Sequence, residues 1–168
     1  MARLVQSGEF REVSHIYYST MPRARETAAI VRDAYTHELE LLEHPNIDEL
    51  RVGDGDGLTW AEFAERFDVP DWDVDPHLPN APGGESLLGF YERATTALTE
   101  ISLRHPEGTV FVVCHGGFIE QATKWVLGLD PGKRMQQRIE HCSLTEIEVR
   151  PGSLRLLRFN DQTPLPEL

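Results

Sequence analysis

The chain is poor in cysteine, in positive charge and in long apolar runs, and each shortage removes a class of protein. With only two cysteines, Cys114 and Cys142, in 168 residues, a disulfide framework is not expected, and the thiols suit a reducing cytoplasm. Sixteen Lys and Arg against 28 Asp and Glu leave a formal net charge of −12. So acidic a surface repels nucleic acid and anionic membranes, so neither is an expected partner. No apolar run approaches the roughly eighteen residues of a membrane span, and the N-terminus has no apolar core of a signal peptide. Internal repeats and low-complexity tracts are also lacking. What remains, 40% hydrophobic and 26% charged, is the composition of a soluble globular protein, long enough for one domain with a substantial core. The acidity sets a condition as well: an anionic ligand needs a local basic pocket.

The strongest local signal is TVFVVCHGGF, residues 109–118. Five apolar residues, 110–114, rich in β-branched types, stop at His115, Gly116 and Gly117. This pattern predicts a strand buried on both faces, as in a parallel sheet covered by helices. Phe118, Ile119, Ala122, Val126 and Leu127 then recur at helical spacing, and Gly128 marks the helix end. His115 therefore stands where a buried strand turns into a helix. In open α/β sheets that turn binds ligands, and the free N–H groups of the helix favour an anion. Gly116 and Gly117 allow close approach of the backbone. On this stretch alone, a histidine that merely ends a strand is an equal reading.

The same grammar appears earlier, in HIYYSTMPRARETAAIVRDAY, residues 15–35. Residues 16–19 read as a short strand, Pro22 suits a first helical position, and Ala24, Ala28, Val31 and Tyr35 mark a buried stripe. Arg23 and Arg25 occupy the first turn, where the helix dipole disfavours cations. An anion would compensate, and Arg23, nearer the strand end, is the candidate. Arg25 is expected to lie solvated, its stem along the surface.

Residues 39–47 lead to another strand end, and Glu49 stands just before a glycine-rich loop, 51–57. Thr59 and Glu62 form a capping box for a helix through Phe67. Asp54 and Asp56 lack the ligand spacing of a calcium loop, and no metal is expected. Residues 68–84, rich in Pro and Asp, read as a long surface loop of the kind that forms lids. Ser86 caps a helix with Leu87, Phe90, Tyr91, Ala94 and Leu98 on its buried face. Residues 144–149 and 154–159 flank Arg150, Pro151, Gly152 and Ser153, a hairpin signal. His141, just before it, is expected to be structural.

Four strings, in this order, carry a resemblance: STMPRARETA (19–28), ELRVGDGDGLTWAEF (49–63), PGGES (82–86) and VCHGG (113–117). They resemble the histidine phosphatase superfamily, the phosphoglycerate mutase-like proteins, and the likeness runs from Ile16 to the final hairpin. The resemblance implies an α/β fold, a three-layer α/β/α sandwich with a mostly parallel sheet. It implies transfer of a phosphoryl group to a histidine and then to water or another hydroxyl, without metal or cofactor. It also implies that Arg23 binds the phosphate, that His115 is the second histidine of the site, and that Glu49 protonates the leaving oxygen. Ser19, Gly116 and Gly117 would contact the phosphate. The expected partner is a small phosphorylated molecule; a homo-oligomer is left open.

One family feature is missing. The family's nucleophile lies in an Arg-His-Gly that closes its first strand, and this sequence contains no Arg-His-Gly. If residues 4–9 were a decayed copy, only residues 10–15 would precede the next strand, whereas a parallel crossover needs about a dozen. Residues 1–8 are therefore expected to end the family's first helix, with the first, central strand upstream of Met1. Without that strand, neighbouring backbone groups lack partners. The chain as written is thus expected to be an inactive, N-terminally shortened phosphomonoester hydrolase. The alternative is a pseudoenzyme that binds a phosphorylated ligand without turning it over. A Rossmann-like nucleotide binder is disfavoured, because no Gly-x-Gly-x-x-Gly follows any strand.

Overall fold

Three short apolar strands and the helices that follow them position everything else. A computed structural model describes Phe10 and residues 12–162; the helix end expected over residues 1–8 lies outside these. In chain order the elements are β1 (Val13–Tyr18), α1 (Pro22–Asp33), β2 (Glu40–Glu43), single 3-10 turns at Pro45–Ile47 and Gly53–Gly55, α2 (Trp60–Arg66), α3 (Leu87–Arg104), β3 (Thr109–Val113), α4 (Gly116–Leu127), β4 (Leu144–Arg150) and β5 (Ser153–Asp161). β1 is the middle strand. It pairs in parallel with β2, from His15 opposite Glu40 to Tyr18 opposite Glu43, and with β3, where Ile16 faces Phe111 and Tyr18 faces Val113.

Alternation along the strands sorts side chains into two cores. Phe111 and Val113 of β3 join Val13, Ile16, Ala28, Val31 and Leu39 beneath α1. Val110, Val112 and Cys114 point the other way, toward Phe90, Ala94, Leu98, Phe118 and Ala122 of α3 and α4. Helices therefore cover both faces, as a three-layer α/β/α sandwich requires.

The structure corrects several expectations. In β3 only Phe111 is buried, and its neighbours are half-buried. The reason is pairing: β3 is bonded to β1 on one edge, and no strand among the described residues pairs with the other. The β4–β5 hairpin forms a separate two-stranded antiparallel sheet. Leu127, placed on the buried stripe by periodicity, is 50% exposed. Gln121 and Lys124 of the same helix are buried instead, with Lys124 Nζ 2.8 Å from Glu120 Oε1. An ion pair makes that burial tolerable. Tyr35 and Tyr91 are half-buried.

Other local expectations hold. Thr59 Oγ1 accepts the Glu62 N–H at 3.3 Å while Glu62 Oε2 accepts the Thr59 N–H at 2.8 Å. Ser86 Oγ accepts the Gly89 N–H at 3.0 Å. Gly128 ends α4 with φ of +64°. The loop over residues 68–84 has only one isolated bridge, Pro79 to Ser86, but it is not loose. Trp72 Nε1–H donates to the Leu78 carbonyl at 2.8 Å, and the Arg134 guanidinium lies 4.5 Å over the Trp72 ring. These contacts dock the loop on the turn that follows α4.

Two measurements check this packing. Phe118→Ala, at the centre of the α3–α4 core, should lower unfolding free energy by about 3–5 kcal/mol in urea titration. The second is pH. Tyr17 OH lies 2.9 Å from His105 Nε2, and the His15 ring is 4.3 Å from that of His105. Burial, with help from His15 and Arg104, lowers the His105 pKa, and burial also lowers that of His44. A histidine held neutral in the folded state adds stability above its unfolded pKa of about 6.5. That stability is lost as pH falls from there through the lower folded value. The urea midpoint should accordingly drop on acidification below about pH 6.5, and His105→Gln should flatten the drop.

Candidate active site

β1 and β3 run in parallel side by side, so α1 and α4, which follow them directly, begin at the same edge of the sheet. The Ser19 N–H donates to the Val113 carbonyl at 3.1 Å, carrying the pairing one residue past β1. Two helix N-termini, each with unpaired N–H groups, thus open on one place.

His115 caps α4 in an extended conformation (φ −133°, ψ 164°) and is 7% exposed. Its ring spans two partners: Nδ1 lies 3.0 Å from Arg23 Nη2, and Nε2 lies 2.7 Å from Ser19 Oγ. Arg23, the cation set against the dipole of α1, is thereby explained. Ser19, expected at the phosphate, is fully buried and faces inward. Its hydroxyl donates to Asp48 Oδ1 at 2.7 Å; Asp48 also accepts the Thr20 N–H and the Thr20 hydroxyl, both at 2.8 Å.

Glu49 sits on the other side. Its Oε2 accepts the Gly117 N–H at 3.0 Å and its Oε1 accepts the Leu50 N–H at 3.0 Å. A carboxylate at the positive end of α4 is favourably placed. Gly117 is required there, because a Cβ would run into the Glu49 carboxylate and come within 3.1 Å of the Phe90 ring. Gly116 has more room, with Ile139 3.6 Å from where a Cβ would stand.

These contacts set the protonation states. Burial, and then the Arg23 charge, hold the His115 pKa below its ordinary value against the pull of Glu49 and Asp48. Burial alone would raise Asp48, but hydrogen bonds from Ser19 and Thr20 outweigh it, and its pKa is lowered. His115 is therefore poised neutral beside an ionised Asp48.

Sequence reasoning missed Asp48, Arg93 and Glu85. Arg93, from α3, has a side chain 9% exposed and grips Glu85 at 2.6 and 2.7 Å. Its guanidinium also donates to the carbonyls of Asn46 (2.9 Å), Asp48 (3.0 Å) and Glu49 (3.1 Å). One cation thus fixes the backbone that presents both acids. Glu85 lies in the PGGES string, but its partner was not legible, since backbone carbonyls carry no sequence signature. Arg25 pairs with Glu43 at 2.7 Å on the surface, and His141 is exposed. Among the described residues no group of three His, Cys, Asp or Glu side chains could hold a metal ion.

The model of the histidine phosphatase superfamily, branch 1, matches residues 1–162. The chain belongs to this superfamily. Phosphoglycerate mutase-like protein 4 of Arabidopsis thaliana is 38% identical to this histidine phosphatase homologue over 116 residues, which is 65% of the chain but 48% of that protein. The chain thus spans about half the length of that relative. Phosphoserine phosphatase 1 of Hydrogenobacter thermophilus is 29% identical over 147 residues, 86% of the chain and 69% of the relative. Among solved structures, YhfR of Bacillus stearothermophilus matches with a TM-score of 0.82 at 28% identity, covering 96% of this chain and 81% of that one.

The Arg93 clamp gives a sharp test. Arg93→Met leaves the half-buried Glu85 without its cation and should destabilise the superfamily fold by about 3 kcal/mol, the low end for a buried pair, read from urea unfolding.

Proposed function

We propose that the protein is a histidine phosphatase-type phosphomonoester hydrolase acting on small phosphorylated substrates through a phosphohistidine. The nucleophilic histidine would lie in an Arg-His-Gly, which this sequence lacks. The observation that carries the reading is the approach of Arg23 Nη2 to His115 Nδ1, 3.0 Å, at the shared mouth of two helix N-termini in a chain of net charge −12. Phosphoryl transfer spreads charge over equatorial oxygens and is catalysed mainly by positioned donors. Arg23 supplies a guanidinium fork, His115 a ring nitrogen, and Gly116 an N–H at the start of α4, whereas the Gly117 N–H, expected at the phosphate, is taken by Glu49. Glu49, held at the same helix end, delivers a proton to the leaving oxygen. One edge of β3, which leads to His115, is paired with no strand among the described residues, and it is there that the strand bearing the nucleophile would add. Names of relatives, a phosphoserine phosphatase and a phosphoglycerate mutase-like protein, support a small phosphorylated hydroxy acid as the substrate class. Free Cys114 and Cys142 suit a reducing cytoplasm, and among the described residues no helix is long and apolar enough to cross a membrane.

The second reading is a pseudoenzyme that keeps the anion site for binding alone. It is favoured by the presence of Arg23, His115 and Glu49 in a sequence without Arg-His-Gly.

The test compares the chain as written with a version extended by the in-frame coding sequence upstream of Met1. The chain as written should not hydrolyse an aryl phosphate. An extension ending in Arg-His-Gly should confer hydrolysis, and His115→Ala in that version should lower kcat by about 10²–10⁴. Turnover by the unextended chain that vanishes in His115→Ala would overturn the placement of the nucleophile. A stop codon upstream, with calorimetric binding of a phosphate ester and no turnover, would establish the pseudoenzyme. A folded chain giving no heat with any phosphate ester would remove that reading.

A further inference from the structure

The Ser19 hydroxyl has one hydrogen and two lone pairs, and three groups surround its oxygen. Asp48 Oδ1 lies at 2.7 Å, the Met21 N–H at 3.2 Å and His115 Nε2 at 2.7 Å. An ionised carboxylate can only accept, so the hydroxyl hydrogen goes to Asp48. The Met21 N–H can only donate, which uses one lone pair. Only a lone pair remains for His115, so Nε2 carries a proton. The reverse arrangement would turn the hydroxyl toward a bare Nε2 and take one bond from Asp48. It would also set an Nδ1–H against an Arg23 N–H at 3.0 Å, donor against donor. The imidazole is therefore the neutral Nε2–H tautomer, and its bare Nδ1 accepts from Arg23.

We propose that Asp48, acting through Ser19, is a positioning residue that fixes this tautomer, and that anion binding draws Arg23 away from Nδ1 and loads one proton onto it. The proposal rests on the reading of this site as a phosphate site. A tetrahedral dianion at the mouths of α1 and α4 is a stronger acceptor for a guanidinium than a neutral imidazole. When Arg23 turns to the anion, Nδ1 loses its donor and faces negative charge. A proton from solvent then forms an N–H bond with the Nδ1 lone pair. The resulting imidazolium keeps Nε2–H on Ser19 and directs Nδ1–H to the anion. The buffer acid that gives up the proton is left as its conjugate base, and no other covalent bond forms or breaks.

The charges around the ring agree with this sequence of events. Burial opposes protonation most, followed by Arg23 from α1 and, more weakly, Arg93 from α3, whereas Glu49 and Asp48, from the segment after β2, favour it. Cys114, next in the chain, stays a neutral thiol because burial pushes its pKa up to about 12. Once the anion neutralises Arg23, its own negative charge joins those of Glu49 and Asp48 against the cost of burial. The ligand class this favours is a dianion that gains a donor from the protein on binding. Without Ser19 and Asp48, only Arg23 would keep Nδ1 bare, and once Arg23 turns to the anion nothing would fix Nδ1 as the side that receives the proton.

Nitrogen-15 NMR of histidine-labelled full chain, at about pH 8, reads the state of each ring nitrogen directly. The probe is inorganic sulfate, a tetrahedral dianion that does not titrate in this range. In the free protein His115 should show a protonated Nε2 and a bare Nδ1; with saturating sulfate both should be protonated. Calorimetry in two buffers of different ionisation enthalpy should count about one proton taken up per sulfate, and affinity should fall about tenfold per unit rise in pH. Asp48→Ala frees the Ser19 hydrogen to turn toward Nε2 and should give a mixture of tautomers. Asp48→Asn, whose amide oxygen can still accept that hydrogen, should restore the single one.

A bare Nε2 in the free wild-type protein overturns the positioning role, and needs neither ligand nor variant. A single unchanged tautomer in folded Asp48→Ala overturns it too. If sulfate shifts the Gly116 and Gly117 amide resonances while His115 stays neutral, proton loading fails and the anion site stands. If neither sulfate nor phosphate shifts any resonance of the site, the phosphate reading itself fails, and proton loading with it.

Discussion

The parallel pairing of β1 with β3 is the constraint on which the rest depends. Because both strands point the same way and sit side by side, the helices that follow them must start at the same edge of the sheet. That places Arg23, in the first turn of α1, against His115, the cap of α4, across 92 residues of sequence. A cation in the first turn of a helix is set against the helix dipole. Here the site accepts that cost because the His115 imidazole takes up the guanidinium.

Around this pair the molecule is built in two shells of different character. The inner one is a line of hydrogen bonds in which Thr20 and Ser19 donate to Asp48 and the His115 ring meets the Ser19 hydroxyl. The outer one is the Arg93 guanidinium, which holds three carbonyls and the Glu85 carboxylate at once. Buried charges of this kind are weak contributors to stability against an apolar alternative. Their use here is geometric: they hold the short segment after β2 where Asp48 and Glu49 meet two different elements.

Much of the site was legible from local pattern. His115 and Arg23 stood at strand-to-helix turns, and such turns announce themselves through an apolar run, a glycine or proline, and a change of period. Glu49 was legible only through its place before a glycine-rich loop and through the family resemblance. Burial was less legible than position. Leu127 and Tyr91 fitted a helical stripe yet remain partly exposed, while Gln121 and Lys124 are buried, because an ion pair with Glu120 and the neighbouring elements decide which face is covered.

The sequence by itself determined the order of strands and helices, their caps at Thr59, Ser86 and Gly128, and three side chains at the sheet edge. All of these follow from interactions within a few residues along the chain. The tertiary structure alone decided the role of Ser19, which faces Asp48 and His115, and the part played by Asp48 and Arg93. It alone showed that β3 is bonded to a described strand on one edge only. These depend on which donors meet which acceptors between segments 29 to 96 residues apart, and hydrogen-bond accounting across such distances leaves no periodic trace in the sequence.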